Sequence, residues 1–155
     1  PKGVYYRINN PALLKQIDSI GKLLFYDPVL SVNNQRSCAS CHKPTQFFTD
    51  TTAATAIQLN KTDQLTRNTP TLLNTLYNHL IHLDGKHLSL QEQAIGVITN
   101  SIEMGSEKEE VLKKILSCDG YKKTFRNLLE YLPGETEVTM QQVTSAITFY
   151  YSKFS

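Results

Sequence analysis

Tryptophan is missing from the 155 residues, so eight Tyr and six Phe supply all of the aromatic bulk. No stretch of about 18 apolar residues occurs, and nothing in the chain reads as a membrane span. Neither sign of charge dominates: 16 Lys and Arg face 14 Asp and Glu, a formal net charge of +2. With no basic run and no acidic tail, the charge pattern offers no ground for a nucleic-acid or membrane-surface partner. Disorder is excluded by a hydrophobic fraction of 40% against 19% charged residues, an ordinary globular balance. The length suits one domain spanning residues 1–155. The lack of an initiator Met and of an apolar leader reads as a processed or trimmed product whose export signal has been lost.

Cysteine is scarce too. Cys38, Cys41 and Cys118 are the three present, and an odd count with two so close together is a poor disulfide framework. The close pair stands in Cys38-Ala39-Ser40-Cys41-His42, the C-x-x-C-H signature of covalent c-type haem attachment. Two thiols on one short turn can add across the two vinyl groups at a porphyrin edge. The His that follows then binds iron from the proximal face. On this reading Cys38 and Cys41 are the thioether anchors and His42 is the axial ligand. A zinc site would need a second Cys or His cluster, and only Cys118 and three scattered His are available for it. A thioredoxin-like redox pair would need a βαβ context that this region lacks.

Helical periodicity runs through most of the chain and predicts an all-α domain; with the C-x-x-C-H motif, the expectation is a cytochrome c-like helical domain around one covalent haem. Asn10-Pro11 opens a helix over about 11–25 as N-cap and first helical residue, with Leu13, Leu14, Ile17, Ile20, Leu23 and Leu24 at helical spacing. Residues 27–36 are turn-rich and lead into the haem motif. Residues 49–66, Thr-rich and aperiodic, form a long loop, a class of segment that is often functional. Thr69-Pro70 starts a short helix carrying Leu72, Leu73 and Leu76. Three capping boxes, Ser89 with Glu92, Ser106 with Glu109 and Thr139 with Gln142, mark helices near 89–98, 106–117 and 139–153. One more helix is expected over 121–132. In the last helix Val143, Ala146, Ile147 and Tyr150 form an apolar stripe.

A c-type haem either carries electrons or does chemistry, and the side of the iron opposite His42 decides which. His79, His82, His87, Met104 and Met140 are the candidates for a second ligand. Met104, at the end of a helical pattern, is the strongest sulfur candidate.

Several blocks beyond the haem motif resemble one family. Residues 24–31 (Leu-Phe-Tyr-Asp-Pro-Val-Leu-Ser), Ser37 to His42, Phe48-Thr49-Asp50, Arg67 to Asn74, Asp84-Gly85-Lys86, Ser89 to Gly96 and Glu103-Met104-Gly105 follow in the order seen in the N-terminal haem domain of bacterial dihaem cytochrome c peroxidases. Val143 to Ser155 is similar to the helix that closes that domain. The resemblance implies a peroxidatic site in which Gln93 and Glu103 stand over the haem. The carboxylate would act as acid and base, and the amide would orient hydrogen peroxide. It further implies a haem-propionate partner in Arg67 and one calcium ligand in Asn68, although calcium takes roughly six to eight oxygens. The electron donor is expected to be a small redox protein or a second haem domain, and the location periplasmic or cell-surface.

Departures from the family pattern are also legible. The second haem motif is absent from these residues. Asn60 occupies the place of a distal-loop His, Leu83 that of a Trp between the haems, and Val97 that of a Pro. On the residues alone three classes stay open: a peroxidase domain, an electron-transfer cytochrome ligated by His42 and Met104, and a gas-binding sensor module. Cys118, in Leu-Ser-Cys-Asp-Gly at an expected helix end, reads as a buried or incidental thiol, with an intermolecular disulfide in an oxidising compartment as the other option.

Overall fold

The computed structural model describes residues 2–78, 81 and 87–155. Among the described residues six α-helices run in chain order: α1 (Pro11–Tyr26), α2 (Cys38–Cys41), α3 (Leu90–Thr99), α4 (Lys108–Ser117), α5 (Asp119–Leu129) and α6 (Met140–Tyr151). No strand forms among the described residues, only isolated bridges such as Lys43 with Thr49 and Ile57 with Gln64.

Helix α1 begins where the sequence puts it. The Asn10 side chain accepts from the Ala12 and Leu13 amides, and Pro11 supplies the first helical residue. Its buried face, Leu13, Ile17, Ile20, Leu24 and Phe25, lies against α6. Each of these side chains contributes about 1.5–3 kcal/mol through the water it leaves. Helix α6 is enclosed by α1, α3 and the 3₁₀ turn Gly3–Tyr5, and nine of its twelve residues are buried. That is a wider face than the expected stripe. Thr144, Ser145 and Thr148 are buried with it, and the Thr144 hydroxyl donates to the Met140 carbonyl, 2.9 Å. Small and hydroxylated side chains can line several contacts at once while satisfying their own polar atoms. Gly21 is where the two long helices cross, since a Cβ there would lie 2.0 Å from the Ala146 carbonyl oxygen.

Three expectations need correction. Thr69-Pro70 does not start a helix, and only the 3₁₀ turn Thr75–Tyr77 forms nearby. The Thr69 carbonyl and the Thr71 hydroxyl are instead tied to residues 47–49, and Asn74 turns left-handed. Ser106 is not the cap of α4: the cap is Glu107, because the Ser106 hydroxyl donates to the Leu30 carbonyl at 2.8 Å. Thr139 makes no side-chain cap, and Gln142 reaches the Glu137 carbonyl instead. Ser89 does cap α3, accepting from Glu92 N–H, and α5 starts at Asp119, ahead of the expected 121. Residues 49–66 form the expected loop.

Gly21→Ala should push α1 and α6 apart and destabilise the haem-loaded protein by about 2 kcal/mol, a fall of roughly 4–8 °C in Tm. Gly120→Ala, in α5 with nothing within 4 Å of the added methyl, should leave Tm unchanged or raise it. Thermal unfolding followed by circular dichroism compares the two.

Candidate haem site

The segment entering the C-x-x-C-H turn is pinned before it arrives. Asp27 Oδ1 accepts from Val29 N–H, while Oδ2 takes the Tyr121 hydroxyl at 2.6 Å. Ser31, fully buried, accepts both the Gln35 and Arg36 amides at 3.1 Å on its hydroxyl. The Lys114 ammonium reaches the Ser31 carbonyl at 2.7 Å and Asn34 Oδ1 at 2.8 Å. Helix α2 then makes a single turn, closed by His42 N–H donating to the Cys38 carbonyl at 2.9 Å. Cys38 and Cys41 therefore share one helix face, and both are half-buried with free thiols.

His42 Nδ1 lies 3.0 Å from the Phe48 carbonyl oxygen. That bond orients the ring and sets the proton on Nδ1, the arrangement in which metal-binding imidazoles offer Nε2 as the ligand atom. Burial lowers the imidazole pKa, against the opposing pull of the Phe48 and Pro70 carbonyls. Burial also raises the Cys38 thiol to about 12 and raises Cys41, whose shift Arg36 moderates. The side chains present thus fit a covalent haem: two thiols on one turn and an oriented, neutral imidazole. A recess of about 180 Å³ opens beside Cys41, walled by Arg36, Lys43, Asp50, Ala56 and Ile57.

The carbonyl that orients His42 is itself held by an unusual backbone. Phe47 and Phe48 both adopt left-handed conformations, at φ 57° and 54°, which cost bulky residues roughly 1–3 kcal/mol each. The surroundings enforce them. The Thr71 hydroxyl donates to the Phe47 carbonyl and the Thr49 hydroxyl to the Thr69 carbonyl, each at 2.5 Å. Phe48 stacks on Phe154 with ring centroids 4.0 Å apart, and Phe154 meets Phe25 edge-on. Lys43 closes the loop with a 2.8 Å ion pair to Asp50. The hydrogen bonds from Lys43 and Thr52 hold the Asp50 carboxyl down at about 2.

The expected distal residues divide into groups. Glu103 is half-buried. Its Oε2 accepts from Asn100 Nδ2 at 2.7 Å, and its carbonyl accepts from Arg36, two residues before Cys38. Gln93 is half-buried on α3, the helix that ends one residue before Asn100. Met104 is buried, and its carbonyl accepts from Val32 N–H. Met140 lies in the core. His87 rests against Gly96 of α3. Arg67 and Asn68 are exposed. Asn60 shapes a turn, accepting from the Thr62 and Asp63 amides. His79, His82, Leu83 and Asp84-Gly85-Lys86 lie outside the described residues. Among the described residues no group of three or more His, Cys, Asp or Glu could hold a metal ion, so neither a zinc cluster nor a carboxylate cage for calcium is seen there.

Two participants escaped the sequence reading. Arg36 donates from Nη1 to the Glu103 carbonyl at 3.2 Å and from Nη2 to the Gln58 carbonyl at 2.9 Å. Asn100 holds the Glu103 carboxylate. The one available signal for Arg36 was its place two residues before Cys38.

A sequence model of the family described as di-haem cytochrome c peroxidase matches residues 15–155. The cytochrome c551 peroxidase of Nitrosomonas europaea is 38% identical over 128 residues, covering 83% of this chain and 36% of that protein. The methylamine utilization protein MauG of Methylophilus methylotrophus is 29% identical over 147 residues, covering 95% of this chain and 42% of that protein. The chain thus spans about two fifths of the length of these relatives. Among solved structures, a MauG-like protein associated with microbial copper homeostasis superposes with a TM-score of 0.79 at 22% identity, over 91% of this chain and 41% of that one. The diheme peroxidase BthA of Burkholderia thailandensis does so at 0.75 and 23%, over 93% and 39%. These likenesses establish the fold as cytochrome c-like.

The Asp50 carboxyl titrates lower in the folded chain than the ordinary value near 3.9. Its contribution to stability is therefore complete above about pH 4 and lost as the pH falls toward 2. Asp50→Asn should accordingly lower Tm at pH 7, and the gap to the unaltered protein should close between pH 4 and 2. A gap independent of pH would mean that the Lys43 pair contributes nothing.

Proposed function

The chain belongs to the di-haem cytochrome c peroxidase family, and on that premise we propose that it is a peroxidatic haem domain reducing hydrogen peroxide to water with electrons from an external donor. Cys38 and Cys41 would hold one haem c covalently and His42 would ligate its iron. When bound, that group supplies an iron centre able to pass electrons to the peroxide O–O bond.

The observation that supports the reading is that the turn bearing the Glu103 carboxylate is tied by Arg36, two residues before Cys38, to the segment carrying the C-x-x-C-H motif, with Asn100 on its Oε2; the other nearby carboxylate, Asp50, is engaged by Lys43. Cleaving the O–O bond takes two electrons and two protons and yields two waters. Glu103 takes the proton from one peroxide oxygen and returns it to the other, so that the departing oxygen leaves as water rather than hydroxide. Gln93 orients peroxide through its amide, a neutral donor that does not compete for the proton. Arg67 is assigned to a haem propionate. Asn68 is assigned to a calcium shared with a second haem domain; that domain or a small redox protein would be the electron donor. No helix among the described residues is long and apolar enough to cross a membrane, and the reading carries a periplasmic or cell-surface location.

The buried Met104, next to Glu103 on the same turn, favours one alternative: a mono-haem electron carrier ligated by His42 and Met104. Absorption spectra separate the two. A high-spin ferric spectrum that changes on adding one equivalent of hydrogen peroxide is the expected result, and a low-spin spectrum indifferent to peroxide gives the carrier. Glu103→Gln should slow the peroxide reaction by roughly 10²-fold or more at an unchanged ferric spectrum, measured by stopped flow. An unaltered rate would remove Glu103 from the chemistry.

A further inference from the structure

The turn that carries Glu103 is built almost wholly by Asn100. Its carbonyl accepts three successive amides, Glu103 N at 3.0 Å, Met104 N at 3.2 Å and Gly105 N at 2.9 Å. Its Oδ1 accepts Ile102 N–H at 3.2 Å, and its own N–H closes α3 on the Gly96 carbonyl. That leaves Nδ2, which donates to Glu103 Oε2 at 2.7 Å. The short distance suits a charge-assisted bond. Few side chains could do all of this: Asp would set a second negative charge against Glu103, and Ser or Ala would lack the amide donor.

The far side of the turn is clasped to the haem-binding segment. Arg36 bridges the Glu103 and Gln58 carbonyls with its two terminal nitrogens, and Leu59 N–H donates to the Ile102 carbonyl at 2.8 Å. Gly105, at φ +66°, allows the close approach, since a Cβ there would meet Leu59 Cδ2 at 2.8 Å. The 49–66 loop is thereby pressed onto the Glu103 turn.

We propose that Asn100 and Arg36 are positioning residues for the peroxidase reaction: Asn100 aims the Glu103 carboxylate, and Arg36 fixes its turn relative to Cys38, Cys41 and His42. The inference rests on the acid–base role assigned to Glu103, and both residues act only through it. A misdirected general base loses rate steeply, because proton transfer requires hydrogen-bond reach.

A double-mutant cycle on the haem-loaded protein tests this. Asn100→Ala should slow the peroxide reaction about tenfold, and Arg36→Met should slow it several-fold. Introduced into Glu103→Gln, each should change the rate less than about twofold, because the group they position is gone. The association rate of cyanide with the ferric protein supplies a second readout. Hydrogen cyanide must give up its proton as it binds, so the same substitutions should slow association only where Glu103 is present. Equal losses in both backgrounds would mean a merely structural role and overturn the proposal. A normal Asn100→Ala protein beside a slow Glu103→Gln protein would overturn it while leaving the acid–base reading intact. A normal Glu103→Gln protein would overturn both.

Discussion

One hydrogen bond, from His42 Nδ1 to the Phe48 carbonyl, sets the direction of the imidazole that is proposed as the iron ligand, and much of the surrounding structure serves to hold that carbonyl in place. The bond spans six residues of chain, but the carbonyl faces the ring only because Phe47 and Phe48 both sit in the left-handed region. Nothing local favours that conformation for two aromatic residues. It persists because Phe48 is stacked on Phe154, Phe154 lies against Phe25, and Phe25 belongs to the contact between α1 and α6. The hydrophobic core and His42 are thus mechanically one unit, and close crossing of the two long helices at Gly21 is part of it.

The residues 67–74 segment completes this unit from outside. It forgoes the helix that its Thr-Pro start would permit, and spends its polar groups on residues 47–49 and its Asn74 N–H on the Phe154 carbonyl. On the other side of the haem-binding turn the same economy recurs: Arg36 and the 49–66 loop bind the turn after α3. Both faces of the site are therefore anchored to the short stretch 36–50, so His42 and Glu103 keep a defined relation although they lie far apart in the chain. The acid–base role proposed for Glu103 needs such a defined relation, because a carboxylate must stand within hydrogen-bond reach of its substrate.

Legibility in the sequence followed the range of the interactions. Helix α1 was readable almost to the residue because Asn10, Pro11 and the apolar spacing are all local signals. The Ser89 cap was readable for the same reason. The Ser106 and Thr139 boxes marked helices that do form there, but neither hydroxyl makes the cap. A hydroxyl that can cap its own helix can equally reach a carbonyl brought close by folding, as Ser106 does with Leu30. Arg36 and Asn100 carried no such letters. An Arg before a haem motif and an Asn after a helix are ordinary surface residues until their partners are known.

What the sequence determined by itself was the chemistry that depends on neighbours along the chain: a C-x-x-C-H turn able to anchor a haem, a helical period throughout, and the order of blocks that marks the family. What only the tertiary structure decided was the aim of those groups. The carbonyl on His42, the amide on Glu103, the guanidinium tying Glu103 to the haem-binding segment and the core behind Phe48 all depend on contacts between distant residues. Such contacts form only once the chain has closed its long loops, and the entropy of that closure is met by burying α1 against α6. No short pattern of residues records where that burial will bring two side chains together.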